Sequence, residues 1–186
     1  MKIFITGHTS GIGKALYDML SNSLQYEVAG GSRSTGWDIT NREKYKEILE
    51  YDVLVNNAHH VTGQLDLLKF TYSHWQNKPK TIINVGSAGK DLLRNRPFEH
   101  LDYNVSKKSL ETYSFWICSN DNLCRSMMYN PGFVDTPLAR DGFNTKWPKE
   151  EQEHVLSRQM DPTECAKAIL FMIESKHTIK ELTHSH

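Results

Sequence analysis

An excess of charge of either sign is missing from this 186-residue chain: 22 Lys and Arg stand against 22 Asp and Glu. With no basic block, neither nucleic acid nor an anionic membrane surface is favoured as a partner. Long hydrophobic runs are missing as well, and a membrane-spanning helix needs about 20 consecutive apolar residues. The opening MKIFITG passes straight into strand-like residues, without the apolar region and cleavage site of a signal peptide. Cysteine is scarce. Cys118, Cys124 and Cys165 are odd in number and lack CxxC spacing, which fits reduced thiols in a cytoplasm. Nine histidines are present, but no HExxH or comparable spacing, so no metal site is expected. What remains is 38% apolar and 24% charged residues, an ordinary globular composition with enough chain for one core.

The pattern alternates strand with helix. KIFIT (2–6), YEVAGG (26–31), DVLVNNA (52–58), KTIINVGS (80–87), LCRSMMYNP (123–131) and TIKELT (178–183) read as strands. Between them, helices are expected from Ile12, over 41–51 with Asn41 as cap, over 64–75, from about 103 to 119, around 149–159, and over 161–175. The last starts with Asp161 before Pro162. This alternation predicts an α/β fold, a Rossmann-like doubly wound parallel sheet of about six strands with helices on both faces. No repeat or linker interrupts it, so residues 1–186 are read as a single domain.

ITGHTSGIG places Gly7, Gly11 and Gly13 between the first strand and the first helix. Glycine permits φ > 0 and close approach of a ligand to the backbone, and the helix start offers free N–H groups and positive dipole to a pyrophosphate. Further on, Tyr103 and Lys107 in YNVSK stand one helical turn apart, on one face.

The TGxxxGxG spacing resembles that of the short-chain dehydrogenase/reductase family, and four more segments match it in order. NNAH (56–59) is similar to the family's NNAG. NVGS, ending at Ser87, is similar to the strand that carries the catalytic serine. YNVSK matches the YxxxK element, and NPGFVDT (130–136) resembles the segment beside the nicotinamide. The resemblance, over most of the chain, implies a nicotinamide-dependent oxidoreductase acting on a carbonyl or alcohol. Ser87 would bind the substrate oxygen, Tyr103 would act as general acid, and Lys107 would bind ribose hydroxyls and lower the phenol pKa by its charge. The cofactor-binding residues implied are Gly7, Thr9, Ser10, Gly11, Ile12, Gly13, Asn57, Ala58, Tyr103, Lys107, Pro131, Gly132, Val134 and Thr136. Asp38 and Ile39 are similar to the family's adenine-contacting pair, although Asp38 is equally placed to cap the next helix.

After the second strand, GGSRST lacks the carboxylate that accepts hydrogen bonds from a ribose 2′-OH. It presents Arg33 with Ser32 and Ser34, which favours NADP (NADPH) over NAD. A purely solvated Arg33 would leave that choice open.

Three departures from the family pattern stand out. Only SRSTGW separates Gly31 from Asp38, too short for the dozen or more residues of a parallel crossover. The family's third strand is therefore expected to be lost, leaving the order 2-1-3-4-5-6. The family's fourth catalytic residue, an asparagine, has no counterpart between Asn57 and Asn77, where His59 and His60 fall instead. His59 also replaces the glycine of NNAG. A substrate lid, if present, is expected in the polar segment 138–155 around Trp147. Helices 64–75 and 103–119 carry more apolar surface than one sheet face requires, which predicts a homodimer through them. A second reading of the same residues is a dinucleotide-binding sensor or scaffold that has lost turnover.

Overall fold

The architecture is that of a computed structural model describing residues 1–91, 101–137, 139–140, 153 and 156–184. Six strands form one wholly parallel sheet: β1 (Lys2–Thr6), β2 (Glu27–Gly31), β3 (Val53–Asn56), β4 (Thr81–Val85), β5 (Arg125–Pro131) and β6 (Glu181–His184). The order across it is β2-β1-β3-β4-β5-β6, as the short GGSRSTGWD connection requires. No extra strand follows β2, which lies at the sheet edge and runs into a 3-10 turn, Arg33–Thr35.

Successive side chains of a strand face opposite sides, and this alternation builds two cores. Ile3, Ile5, Val53, Val55, Ile83, Val85, Met127 and Tyr129 face α1 (Gly11–Ser21) and the last helix. Phe4, Leu54, Ile82 and Met128 face α2 (Gly63–Trp75) and α3 (Leu101–Cys118). The last helix, α4 (Pro162–Glu174), begins with a capping box in which Asp161 accepts from Thr163 N at 2.6 Å and Glu164 accepts from Asp161 N at 3.2 Å.

The segment expected as a helix over 41–51 is instead nine residues of 3-10 helix, Arg42–Glu50, capped by Asn41, which accepts from Glu43 N at 3.1 Å. Its buried residues, Tyr45 and Ile48, stand three apart, the spacing that a three-residue turn stacks on one side. The lid segment falls almost wholly outside the described residues, and so do six of the eleven residues of the helix expected around 149–159. Among the described residues, no helix is long and apolar enough to cross a membrane.

Candidate active site

All of the expected site residues lie at or beyond the carboxyl ends of the strands, where an open α/β sheet forms its crevice. After β1, Gly7 (φ 72°) and Gly11 (φ 53°) hold left-handed conformations that disfavour any side chain. Gly13 lies so close to the Gly7 carbonyl that a Cβ there would collide with it. The start of α1 is bare. Ser10 makes no side-chain cap and the first turn holds no acid, so its N–H groups and dipole face outward. Beside this turn, Asn57 N and Ala58 N both donate to the buried Thr6 hydroxyl (2.8 and 2.9 Å), and Asn57 Nδ2 donates to Thr6 O at 3.0 Å. A Cβ on Gly11 would lie 2.9 Å from Thr136 Cγ2, so the PGFVDT segment touches the glycine turn.

Past β2, hydroxyls meet one another in the turn that carries Arg33. Ser32 Oγ lies 2.9 Å from Ser34 Oγ and 3.3 Å from Thr35 Oγ1, and Ser34 donates to Thr9 Oγ1 at 3.2 Å. Thr35 is an addition to the residues expected here. Asp38 turns to Thr40, accepting from its N–H and its hydroxyl, both at 2.8 Å. These hydrogen bonds hold its carboxyl below the usual range. It therefore fixes the turn before the 3-10 helix, while Asn41 supplies the cap. Ile39 and Val134 are core side chains, so only their backbones are available to a ligand. Pro131 closes β5, and Gly132 N donates to His184 O at 2.7 Å.

Ser87 stands close enough to Tyr103 for its side chain to favour the phenolate. Ser87 is held by its own N–H to Asn130 Oδ1 (3.1 Å) and by Gly89 N donating to its Oγ (3.1 Å). Lys107, one turn along α3 and 3% exposed, donates to Gln64 Oε1 (2.9 Å) and Val85 O (2.8 Å). Its Nζ lies 5.7 Å from the centre of the Tyr103 ring.

The electrostatics differ from the expectation that Lys107 lowers the phenol pKa. Burial pushes Tyr103 above its ordinary value, opposed by the neighbouring Ser87 side chain. Burial also lowers Lys107 to about 7. The physical reason is common to both: a low-dielectric pocket disfavours phenolate and ammonium alike. Tyr103 is consequently a neutral phenol with a proton to give.

Two residues at this site were not anticipated. Gln64, the second residue of α2, is buried. Its Nε2 donates to Asn56 O (2.6 Å) and Val85 O (2.9 Å), and its Oε1 receives Lys107. A search for asparagine by residue type passes over it; the signal was an amide in the first turn of the helix after NNAH. The second is Lys90, buried just after Ser87. The two histidines divide their tasks. His60 Nδ1 accepts from Gly63 N at 3.1 Å and so caps α2. His59 lies edge-on to Tyr103 with ring centres 4.9 Å apart. His59 is an exposed residue by accessible surface, yet the protein around it, then the Lys107 charge, lower its pKa to about 4.

No family model and no curated protein matches the sequence. Solved structures do match. A 3-ketoacyl-(acyl-carrier-protein) reductase from Brucella melitensis, complexed with NADH, superposes with a TM-score of 0.74 at 18% identity, over 98% of this chain and 96% of that one. A 3-alpha-hydroxysteroid dehydrogenase from Pseudomonas sp. B-0831, complexed with NADH, gives 0.72 at 21% identity, over 98% and 95%. The closed form of a serine dehydrogenase complexed with NADP+ gives 0.75 at 16%, over 100% and 95%. The chain thus has the fold of the short-chain dehydrogenases and reductases.

Proposed function

We propose that this chain is a shortened short-chain dehydrogenase/reductase that uses NADPH to reduce a carbonyl compound, or NADP to oxidise the corresponding alcohol. The observation that carries the reading is Tyr103 with Lys107 Nζ 5.7 Å from its ring and Ser87 beside it, at the same end of the sheet as the glycine turn. The residues present fit a nicotinamide dinucleotide. The uncapped start of α1 suits the pyrophosphate, and Arg33 with the hydroxyls of Thr9, Ser32, Ser34 and Thr35 suits a 2′-phosphate.

When bound, the cofactor supplies or accepts hydride. Ser87 orients the carbonyl oxygen, and Tyr103 transfers its phenolic proton to that oxygen as hydride reaches the carbon. In the oxidative direction Tyr103 receives the proton back. Positioned proton transfer of this kind contributes roughly 10²–10⁴ in rate. Lys107, held by Gln64 and Val85, has its remaining donor capacity for ribose hydroxyls.

The test is a titration with NADPH and NADH, read by nicotinamide fluorescence and thermal shift, with Arg33→Ala alongside. A charge-assisted hydrogen bond is worth about 1.5–3 kcal/mol, so Arg33→Ala should weaken NADPH binding roughly 10- to 100-fold and leave NADH nearly unchanged. Equal losses for both would remove the NADP assignment; absence of binding to either would remove the oxidoreductase reading. A second reading, a nucleotide-binding sensor without turnover, draws support from the His59 ring against Tyr103. It predicts NADPH binding without oxidation across a panel of carbonyls.

We also propose a homodimer through α2 and α3. Much of the apolar stripe that suggested it packs inside the subunit instead: Leu67, Leu68, Tyr72, Trp75, Leu110 and Ile117 are buried. What remains outside is a groove lined by Leu65, Leu101, Val105, Tyr113 and Trp116, with Trp116 52% exposed. The three free cysteines accord with a cytoplasmic site of action.

A further inference from the structure

Tyr103, Lys107 and Glu111 follow at four-residue steps along α3, so the third stands on the same stripe as the two site residues. Glu111 is not free on that stripe. It meets Lys90 Nζ at 2.7 Å, and the two side chains are 10% and 5% exposed. Lys90 belongs to the short 3-10 turn Ala88–Asp91, which starts immediately after Ser87. Inside that turn Lys90 N donates to Ser87 O at 3.4 Å and Gly89 N to Ser87 Oγ at 3.1 Å.

We propose that Lys90 is a positioning residue, whose buried ion pair with Glu111 locks the turn bearing Ser87 onto the helix bearing Tyr103 and so sets the placing of Ser87 against Tyr103. The kinetic part of this inference rests on the activity proposed above; the geometric part does not.

A second arm of the same network reaches the serine from the other side. Glu181, on the last strand, lies 3.5 Å from Lys90 and accepts from Asn130 Nδ2 at 2.6 Å; Asn130 Oδ1 in turn receives Ser87 N–H. Gly86 leaves the space that Asn130 needs, because a Cβ there would overlap its amide oxygen. Ser87 is thereby held between β5, β6 and α3.

The energetics argue for geometry rather than stability as the role. A buried Lys–Glu pair loses the hydration of two ions, and replacing both by apolar residues is often neutral or stabilising. What such a pair supplies is a fixed distance between two elements. Here those elements carry the two hydroxyls that must meet a carbonyl oxygen together. Glu111 also keeps Lys108 at 3.1 Å, and Glu181 keeps Asn130 and Thr183, so removing Lys90 leaves neither carboxylate bare.

The experiment uses the full chain with 13Cζ-labelled tyrosine. The Tyr103 resonance is identified by its absence in Tyr103→Phe, and Ser87→Ala defines the shift that follows loss of the serine hydroxyl. Lys90→Met is expected to move the resonance in the same direction as Ser87→Ala, by at least half as much. Lys90→Met/Glu111→Met is expected to do the same with thermal stability close to wild type, which separates positioning from folding should the single variant fold poorly. With a reducible carbonyl, Lys90→Met should lower kcat roughly 10- to 100-fold, the scale of a misplaced catalytic group, with less than threefold change in KM or in NADPH affinity. A Tyr103 resonance unmoved in both Lys90 variants but moved in Ser87→Ala overturns the proposal. So does a resonance that Ser87→Ala itself leaves in place. Absence of NADPH binding and turnover in the wild type would instead remove the proposed function, while the resonance still decides the positioning role.

Discussion

Lys107→Met should change how stability depends on pH, in a direction that burial dictates. The folded chain releases the Lys107 proton near pH 7, because Nζ is buried; the ordinary lysine value is 10.5. Between those two values the unfolded chain holds a proton that the folded chain has released. The unfolded state binds more protons there, so the contribution of Lys107 to stability rises with pH. Each pH unit corresponds to about 1.4 kcal/mol, and the full interval to about 5 kcal/mol. Below pH 7 both states hold the proton and the contribution is flat at its least favourable level. Methionine has no such proton, while the other titrating groups are common to both proteins. His59, the imidazole that faces Lys107, is already neutral above its lowered pKa of about 4 and leaves the interval clean. The assay is urea unfolding of wild type and Lys107→Met from pH 6.5 to 9.5, with the free-energy difference plotted against pH. The difference should move in favour of the wild type by roughly 1 kcal/mol or more per unit above pH 7. A flat difference across this range would mean that Lys107 stays charged in the folded chain, and the account of a desolvated lysine would be wrong.

Gln64→Leu removes the acceptor of Lys107 and the donor to Asn56 O, and should cost about 2–4 kcal/mol as these buried groups lose partners, read as a lowered urea midpoint. An unchanged midpoint would count against the arrangement. Tyr103→Phe should leave NADPH affinity within about twofold while turnover falls roughly 10²–10⁴-fold; retained turnover would reassign the proton donor. Trp116→Arg in the α2–α3 groove should convert a dimer to a monomer in sedimentation velocity, and a wild type that is already monomeric would refute the pairing. Asp161→Ala removes the α4 cap and should destabilise the fold by about 1 kcal/mol, measurable in the same unfolding assay.

Period and punctuation made much of this protein legible. Short, nearly unbroken apolar runs in KIFIT, VLVN and TIINV read as strands covered on both faces, because parallel strands between helix layers bury both sides. The glycines of ITGHTSGIG and the four-residue step from Tyr103 to Lys107 are likewise local facts. Even the missing third strand could be read, since six residues cannot make a parallel crossover. Other features were settled by distance in space. Arg42–Glu50 has a helical pattern, but it is a 3-10 helix that buries Tyr45 and Ile48, three residues apart. The apolar stripes of α2 and α3 looked like an interface, yet most of each faces the sheet, and only the folded arrangement assigns a side chain to core or surface. Tyr103 and Lys107 were identified as a pair, while their protonation depends on how completely the crevice excludes water. Gln64 and Lys90 are unremarkable in the chain. They acquire roles because parallel strands bring residues far apart in sequence to one end of the sheet, where Val85, Ser87 and Lys107 converge. Local periodicity is written in neighbouring residues; charge state and partner choice are set by what the fold places within a few ångströms.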